Sequence, residues 1–506
     1  MSSAAVETDV LIVGAGPVGL FLANECARRG LRWRLVETHA SQSEHSKALA
    51  IFSRTLEIFD MAGLAGPFLE LANRVNSIRL TTRDRTLARM PFAPDNSVYP
   101  FVAMVPQDVT ERLLVDALGR NGGAVEYRTS FVGAVQHDDR VDVTLERNGE
   151  RETTSAGFVV GCDGAHSAVR RLLGLPFEGG EYKARFMLAD IETNDAFPAA
   201  EMQLCPNSDG PLAIFPMSAT RRRIVAMIDD PEGGSPSLES VRQLLAERAP
   251  PGIEARALNW SSYFHIHHRR VSRLRERRMF VAGDAAHIHS PFGGQGMNTG
   301  LQDAWNLVWK LDLVVRDHAN DALLDSYSAE RVPVIKGVIG TTDHLTRALG
   351  TPNRLAEALR DAVIPLVSRL APFQHAVVQR LSGLGIAYHG SPVIEGAGKR
   401  YLDDSMRDGS GVRSRYLLLV DENAAPPVLE GARRLVDALA ALVELQQVGR
   451  RGIMLVRPDG HVAFEDARAG GAALASVQAL LECQSAASRA HGLPAKLARV
   501  TIPPLP

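Results

Sequence analysis

The stretch Val10-Leu-Ile-Val-Gly14-Ala-Gly16-Pro-Val-Gly19 decides the fold. Residues 10–13 form a short β-branched run that is typical of a buried strand, and three glycines spaced as GxGxxG follow it directly. Residues 20–29 then have helical spacing, and residues 32–37 are typical of a second strand. A strand, a crossover helix and another strand in this order predict a parallel α/β sheet.

The glycine-rich turn has the composition of a phosphate-binding loop. Its glycines would let the backbone approach a pyrophosphate, and the helix that follows offers N–H groups and the positive end of its dipole. Glu37 lies 37 − 19 = 18 residues after Gly19, close to the spacing of about 20 expected for a ribose-binding carboxylate. The combination predicts nucleotide binding; the alternative is a tight turn with a solvated glutamate.

Length and composition narrow the remaining possibilities. At roughly 150 residues per domain, 506 residues predict about three domains. A formal charge of −2 disfavours bulk binding of nucleic acid. The four cysteines form no CxxC pair, which predicts neither disulfides nor a metal site and favours a reduced cytoplasm. The apolar stretch 10–23 follows acidic residues and is broken by glycine and proline, so we expect no membrane span and no export signal.

Two further motifs follow apolar strands. The first is Gly161-Cys-Asp163-Gly-Ala-His-Ser167-Ala-Val-Arg170, which taken alone is also typical of an Asp-Gly turn capped into a helix by Ser167. The second runs from Gly283-Asp284-Ala-Ala-His287 to Pro291-Phe-Gly293-Gly294-Gln-Gly296-Met-Asn298 and leads into a helix. Glycines against a helix N-terminus suit a flat ligand whose carbonyl edge carries negative charge in one redox state.

Taken in this order and spacing, the three motifs resemble the FAD-dependent aromatic hydroxylases, the class A flavoprotein monooxygenases related to p-hydroxybenzoate and phenol hydroxylases. The resemblance covers essentially the whole chain and is strongest over residues 283–311. It implies an α/β fold with a Rossmann-like FAD-binding domain, an inserted β-rich substrate domain and a C-terminal thioredoxin-like domain. The implied boundaries are 1–75, 100–177 and 271–390 for the first, 76–99 and 178–270 for the second, and 412–506 for the third. The tail has no CxxC, so we expect a structural role or oligomer contacts, such as those of a homodimer.

The same resemblance implies a role for each motif residue. Gly14, Ala15, Gly16 and Gly19 would bind the FAD pyrophosphate, Glu37 the adenosine ribose, Gln107 the flavin side of FAD, and Asp163 both FAD and the nicotinamide donor. Asp284 would contact the ribityl chain, and Pro291, Gly293, Gly294, Gly296, Met297 and Asn298 would surround the isoalloxazine ring. Lys47 stands where relatives usually carry arginine, so it keeps the charge without the bidentate fork.

The implied activity is hydroxylation of a phenolic or polycyclic aromatic substrate. NADPH or NADH would reduce FAD, and O2 would then form a flavin C4a-hydroperoxide that transfers oxygen to the ring. Two alternatives are a flavoprotein that oxidises or epoxidises a polycyclic natural product, and an FAD-binding protein without turnover. A base that deprotonates the substrate phenol would increase its reactivity. Strand alternation puts His265 and His267 on one face as weak candidates for that base; the alternative is a solvated, cationic edge strand.

Overall fold

The computed structural model describes residues 6–43, 46–181, 185–194, 197–228, 234–265, 267–349, 354–409 and 414–487, with only the backbone of 354–360. Parts of the predicted substrate domain, the start of the predicted thioredoxin-like domain and its last 19 residues, 488–506, therefore lie outside the described residues. The first eleven strands, β1–β11, are Thr8–Val13, Trp33–Glu37, Ala50–Ile51, Asn73–Val75, Ser77–Thr81, Thr86–Pro91, Val102–Met104, Glu126–Tyr127, Thr129–Gln136, Val141–Arg147 and Glu150–Gly161.

The remaining strands follow from residue 178 onward. Strands β12–β25 are Glu178–Glu181, Arg185–Thr193, Glu201–Cys205, Leu212–Pro216, Arg221–Ile228, Ala255–Phe264, His267–Arg270, Arg275–Glu276, Met279–Val281, His287–Ile288, Tyr416–Asp421, Val443–Val448, Ile453–Val456 and Val462–Asp466. Helices α1–α12 are Pro17–Arg28, Ser53–Met61, Ala65–Leu71, Gln107–Arg120, Ala168–Leu172, Leu238–Arg248, Gly296–Val315, Asp325–Leu349, Arg354–Val367, Ala371–Ser382, Pro426–Ala438 and Gly471–Glu482.

The first sheet confirms the predicted α/β fold. Its strand order is β19-β20-β11-β1-β2-β8, and the pairs from β20 to β8 are parallel. Strand β1 lies in the middle and is almost entirely buried, as its β-branched sequence predicts. Strands β9 and β10 extend the sheet by antiparallel pairing on β11.

A second sheet of seven strands, in the order β17-β13-β16-β15-β14-β5-β6, is built from two separated stretches of chain. Two three-stranded sheets, β3-β7-β4 and β12-β18-β21, pair strands from distant parts of the sequence. The C-terminal unit carries a four-stranded sheet, β23-β22-β24-β25, with α11 and α12. Its thioredoxin-like character and the domain boundaries stay predictions. Within the described ranges, no helix is both long and apolar enough to cross a bilayer.

Helices α1 and α7 pack closely beside the first sheet, and glycine makes that contact possible. A Cβ on Gly300 would lie 2.6 Å from Val18 Cγ2 and 2.9 Å from Gly283 Cα. One of those atoms belongs to the backbone, so it cannot move aside without shifting a turn. The start of α7 is therefore held against the first turn of α1 and against the turn at Gly283.

We predict that Gly300→Ala lowers the free energy of unfolding by about 1–3 kcal/mol, because the new methyl group overpacks the contact between α1 and α7. Gly337→Ala in the exposed part of α8 is the matched control, since a Cβ there meets nothing within 4 Å. The control should gain up to about 1 kcal/mol from helix propensity. Urea unfolding measures both, and equal midpoints for the two variants would contradict the prediction.

Candidate active site

Three motifs lie side by side because three parallel strands end in register. Val13 of β1 pairs with Gly161 of β11, and Gly161 pairs with Val281 of β20. The residues that follow these strands therefore leave the sheet at one edge. In α/β sheets, ligands bind outside the carboxyl ends of the strands.

The first loop at this edge leaves room for a ligand. Gly14 has a φ of +100°, and a Cβ on it would lie 2.6 Å from the Cys162 carbonyl oxygen. A Cβ on Gly19 would lie 1.9 Å from the Gly14 carbonyl oxygen, whereas one on Gly16 would meet nothing within 4 Å. Helix α1 begins at Pro17 with no side-chain cap and no acidic residue in its first turn. Its positive end therefore faces open space beside Gly16.

Glu37 folds back onto this loop. One carboxylate oxygen accepts a hydrogen bond from the Ala15 N–H at 2.8 Å, and the other accepts from the His39 N–H at 2.9 Å. The acid predicted from its spacing thus lies against the glycine-rich loop, where its oxygens keep lone pairs for a hydroxyl donor.

Gln107 binds the loop that carries Lys47. Gln107 begins α4, its side-chain oxygen accepts from the Ala48 N–H at 3.1 Å, and its amide nitrogen donates to Glu111 at 2.9 Å. Burial raises the pKa of the Glu111 carboxyl. The Lys47 side chain is exposed. Gln107 therefore holds the backbone of this loop and leaves the lysine free to reach a ligand.

Sequence reasoning missed the ion pair that holds this loop from the other side. Arg223 of β16 forms two hydrogen bonds of 2.7 Å with Asp190 of β13. Its third nitrogen donates to the Ser46 hydroxyl at 3.2 Å and to the carbonyls of Lys47 and Ala48 at 3.1 Å. The sequence carries a signal for this pair, because the charged Asp190 interrupts the apolar run of β13. Both side chains are buried in the structure, where a charge needs a partner. The seven-stranded sheet thereby fixes the loop that carries Lys47.

Asp163 serves as a helix cap. Its carboxylate accepts from the Ser167 hydroxyl at 2.6 Å and from the N–H groups of Ala168 and Val169 at 2.6 and 3.1 Å. Ser167 in turn accepts from the Arg170 N–H at 2.9 Å. This geometry matches the capped-turn interpretation, and the expected contacts of Asp163 with FAD and the nicotinamide donor stay predictions.

Asp284 is exposed at the end of β20, although its neighbours Gly283 and Ala285 are buried. Desolvation by the surrounding protein raises the pKa of the Asp284 carboxyl above its ordinary value, and the charges of His287 and Lys47 partly lower it. Lys47 and Asp284 therefore interact electrostatically, although 237 positions separate them in the sequence.

A buried network supports the Asp284 turn from behind. Asp303 of α7 accepts from the Gly283 N–H at 3.2 Å, binds His287 Nε2 at 2.7 Å, and pairs with Arg331 Nε at 2.7 Å. Arg331 also donates to the Thr299 carbonyl at 3.1 Å. Burial alone would raise the pKa of the Asp303 carboxyl, but Arg331 and His287 bring it below its ordinary value. His287 thus has a structural role.

The loop 291–298 ends at a second helix N-terminus without a cap of its own. A 3₁₀ turn covers Pro291–Gly293, Gly294 has a φ of +60°, and α7 begins at Gly296 with no side-chain cap and no acidic residue in its first turn. The Asn298 side chain is buried and accepts from the Phe52 N–H at 3.0 Å. Its amide donates to the carbonyls of Ala50 and Gly294 at 2.8 and 3.0 Å.

The glycines of this loop also pack against protein. A Cβ on Gly293 would lie 2.6 Å from Thr342 Cγ2, and one on Gly294 would lie 3.3 Å from the Phe52 ring. Met297 is buried. The loop is therefore held against α8 and the segment after β3, and its glycines serve packing as well as space for a ligand.

Comparisons with known proteins agree with this geometry. Residues 7–342 match the family described as FAD binding domain. This chain belongs to the FAD-dependent aromatic hydroxylase family.

The relatives resemble the chain over most of its length. It is 32% identical to 6-methylpretetramide 4-monooxygenase of Streptomyces rimosus, with 93% of each chain covered. It is 31% identical to rifampicin monooxygenase of Streptomyces venezuelae, with 90% of this chain and 95% of the relative covered. Among solved structures, OxyS anhydrotetracycline hydroxylase from Streptomyces rimosus has a TM-score of 0.74 and 28% identity, over 91% of this chain and 96% of that one. The predicted FAD cofactor and monooxygenase class are confirmed.

A cluster of aromatic rings lies where the seven-stranded sheet meets the 291–298 loop. The ring of Phe186 on β13 lies 5.7 Å from that of Phe292 in the loop and 6.0 Å from that of Phe264. Phe52 and Phe92 form a neighbouring pair at 5.9 Å. All five residues belong to or pack against one hydrophobic cluster, in which four of the rings are buried and Phe264 is half-buried, so the cluster fixes the 291–298 loop against the seven-stranded sheet.

His265 and His267 lie together but share an acidic partner. Their Nδ1 atoms are 3.3 and 3.7 Å from the carboxylate of Glu181, and both side chains are partly exposed. His265 follows β17, an edge strand of the seven-stranded sheet, whereas His267 belongs to β18, the middle strand of its own sheet; the interpretation as an edge strand is therefore wrong for His267. The proposal that either histidine is the substrate base stays a prediction.

His289 lies just before the 291–298 loop and has one ring nitrogen without a hydrogen-bond partner among the described residues. Its Nδ1 donates to the Ser290 carbonyl at 3.0 Å, and Nε2 has no hydrogen-bond partner among the described residues. A Cβ on Gly296 would lie 3.9 Å from Nε2. Burial, opposed by the Ser290 carbonyl, lowers the pKa of His289 to about 4, so the imidazole is neutral.

This neutral histidine makes stability depend on pH. Because its pKa is lower in the folded state than the ordinary 6.5, the unfolded chain binds the proton first, and stability falls as pH drops from about 7 to 5. The expected loss is about 2 kcal/mol from His289. His461, whose pKa is also lowered to about 4 by burial, should add a similar loss. His289→Gln should remove about half of this pH dependence in urea unfolding; an unchanged dependence would contradict the prediction.

Proposed function

We propose that this protein is an FAD-dependent monooxygenase that hydroxylates a phenolic substrate with fused aromatic rings. One oxygen atom of O2 enters the ring as hydroxyl, the other leaves as water, and NADPH or NADH supplies the two electrons. The main observation is the shared strand edge, where two uncapped helix N-termini converge.

The residues at the strand edge fit FAD. Gly16 leaves open space where a pyrophosphate would approach α1, and the free helix end favours its negative charge. The FAD contacts that we propose are Gly14, Ala15, Gly16, Gly19, Glu37, Lys47, Gln107, Asp163, Asp284, Pro291, Gly293, Gly294, Gly296, Met297 and Asn298. Bound FAD would accept hydride and activate O2.

The chain's own contribution is orientation and electrostatics. The N–H groups at the start of α7 would favour negative charge on the carbonyl edge of the ring, and no acidic side chain in that first turn opposes them. Asn298 holds these N–H groups in place through Phe52, Ala50 and Gly294. The buried apolar cluster of Phe186 and Phe292 behind the 291–298 loop would keep water out from that side of the site.

The substrate class follows from the relatives. Relatives are named for pretetramide and anhydrotetracycline substrates. We also propose a cytoplasmic location, because all four cysteines are free.

The proposed FAD position predicts that Gly16→Ala weakens FAD binding at least tenfold while the protein still folds. A Cβ at this position meets no protein atom within 4 Å, so it collides only with the cofactor. Gly66→Ala in α3 is the control, since it too meets nothing within 4 Å and is exposed. Flavin fluorescence during titration measures affinity, and circular dichroism measures folding. A Gly16→Ala variant that binds FAD as tightly as the control would contradict this position.

Turnover tests the activity. We expect a hydroxylated anthraquinone or tetracycline-type compound to accelerate aerobic NADPH consumption more than tenfold, with little hydrogen peroxide and a product heavier by one oxygen atom. Simple phenol in the same assay controls for ring number. Oxygen insertion without a new hydroxyl would favour the epoxidising alternative. A slow rate that no compound changes, with all electrons recovered as peroxide, would contradict hydroxylation and favour a protein without turnover.

A further inference from the structure

One turn of the C-terminal unit is buried among helices α2, α7 and α8. It comprises Arg457, Pro458, Asp459 and Gly460, joins β24 to β25, and is called here the 457–460 turn. The side chains of Arg457 and Asp459 have no exposed surface. Polar groups are buried in this way only when they are paired.

The turn first contacts α8. The Arg457 guanidinium donates to both carboxylate oxygens of Glu330, the second bond measuring 3.0 Å, and its Nε donates to Asp459 at 3.0 Å. Lys310 of α7 donates to the same glutamate at 2.8 Å. Burial alone would raise the pKa of Glu330, but Arg457 and Lys310 lower it to about 2. The glutamate therefore stays ionised and joins α7, α8 and the turn.

The backbone of the turn contacts two more side chains. The Asp459 carbonyl accepts from Trp305 Nε1 of α7 at 3.1 Å and from Arg54 of α2 at 2.9 Å. Gly460 has a φ of +73°, and a Cβ on it would lie 3.4 Å from Met61 Sδ at the end of α2. Three helices of one unit are thus fixed against a single turn of another.

Each of these helices also holds part of the FAD site. Helix α7 begins at the 291–298 loop. Helix α2 begins after Phe52, whose N–H is bound by Asn298. In α8, Arg331 follows Glu330 directly and pairs with Asp303, which supports the turn of Asp284. A displacement of the 457–460 turn would therefore move all three supports.

We propose that the 457–460 turn is a positioning element for FAD, with Arg457 as its central positioning residue. The C-terminal unit thereby completes the FAD site without touching the cofactor. This inference rests on the FAD position proposed above. Coupling between two sites is reciprocal, so FAD binding should in turn stabilise the turn.

Hydrogen exchange of the wild-type full-length protein tests this coupling without a substitution. Adding FAD should slow exchange at least tenfold in the backbone amides of 453–466, which flank the turn. The strand Val443–Val448, at the opposite edge of the same sheet, is the internal control and should slow less. Equal slowing of both segments, or none, would overturn the coupling.

A set of variants tests the residue itself. Arg457→Met should weaken FAD binding at least tenfold and alter the visible flavin spectrum, because α2, α7 and α8 lose their common support. Arg457→Lys should fall between it and wild type, since lysine keeps the charge but cannot bind both glutamate oxygens in the same fork. Arg434→Met is the control in the same unit, where Arg434 forms an exposed pair with Glu430.

Folding is checked separately by circular dichroism and urea unfolding of each apo variant. If Arg457→Met does not fold, Trp305→Phe removes one hydrogen bond to the turn and should weaken FAD binding about threefold. Folded Arg457→Met, or in its absence folded Trp305→Phe, with wild-type FAD affinity and spectrum would overturn the inference. A wild-type protein that takes up no FAD would instead overturn the proposed function, so the two failures are distinguishable.

Discussion

Backbone hydrogen bonds that continue the parallel sheet beyond its last paired residues determine the geometry of the FAD region. The Cys162 N–H donates to the Val13 carbonyl at 2.7 Å, and the Ala282 N–H donates to the Gly161 carbonyl at 2.9 Å. Since each strand is fixed to its neighbour at its last residue, the loops that follow have little freedom to drift apart. Every candidate FAD contact from these loops depends on that register, and a one-residue slip would turn each loop away from the shared edge.

The sequence predicts most of the structure that is local. A β-branched run, a glycine turn and a helical repeat within 30 residues are enough to define the first βαβ unit, because each is determined by neighbours in the chain. The glutamate at the end of β2 is placed by the same local reasoning. Charged pairs such as Arg223–Asp190 and Arg331–Asp303 join segments 33 and 28 residues apart, and only the folded chain reveals their partners. The substrate base is harder to predict, because a role for His265 or His267 depends on where they lie relative to the bound substrate.

Glycine and aspartate in these motifs have more than one physical role. Gly16 leaves space, while Gly293 is required by the nearby methyl group of Thr342. Asp163 neutralises the N-terminus of α5, although its motif is also one that the family resemblance links to the cofactors. A motif residue can therefore satisfy a folding constraint whether or not a ligand is bound. The strongest arguments for a binding role come from positions such as Gly16 and the start of α7, where the protein leaves its own backbone groups without a cap.

The contact between the C-terminal unit and the helices behind the FAD site consists largely of buried ion pairs, which carry a desolvation cost. An apolar contact of similar volume is often as stable or more stable, because burying ions requires their desolvation. A hydrophobic contact, however, tolerates small shifts, whereas the fork between Arg457 and Glu330 is satisfied in one orientation only. Glu330 and Arg331 are neighbours in α8, so fixing one also fixes the other, and Arg331 reaches Asp303 behind the Asp284 turn. The ion pairs thus contribute less stability than an apolar contact but fix the orientation of the helices. A site whose cofactor does the chemistry depends on that orientation.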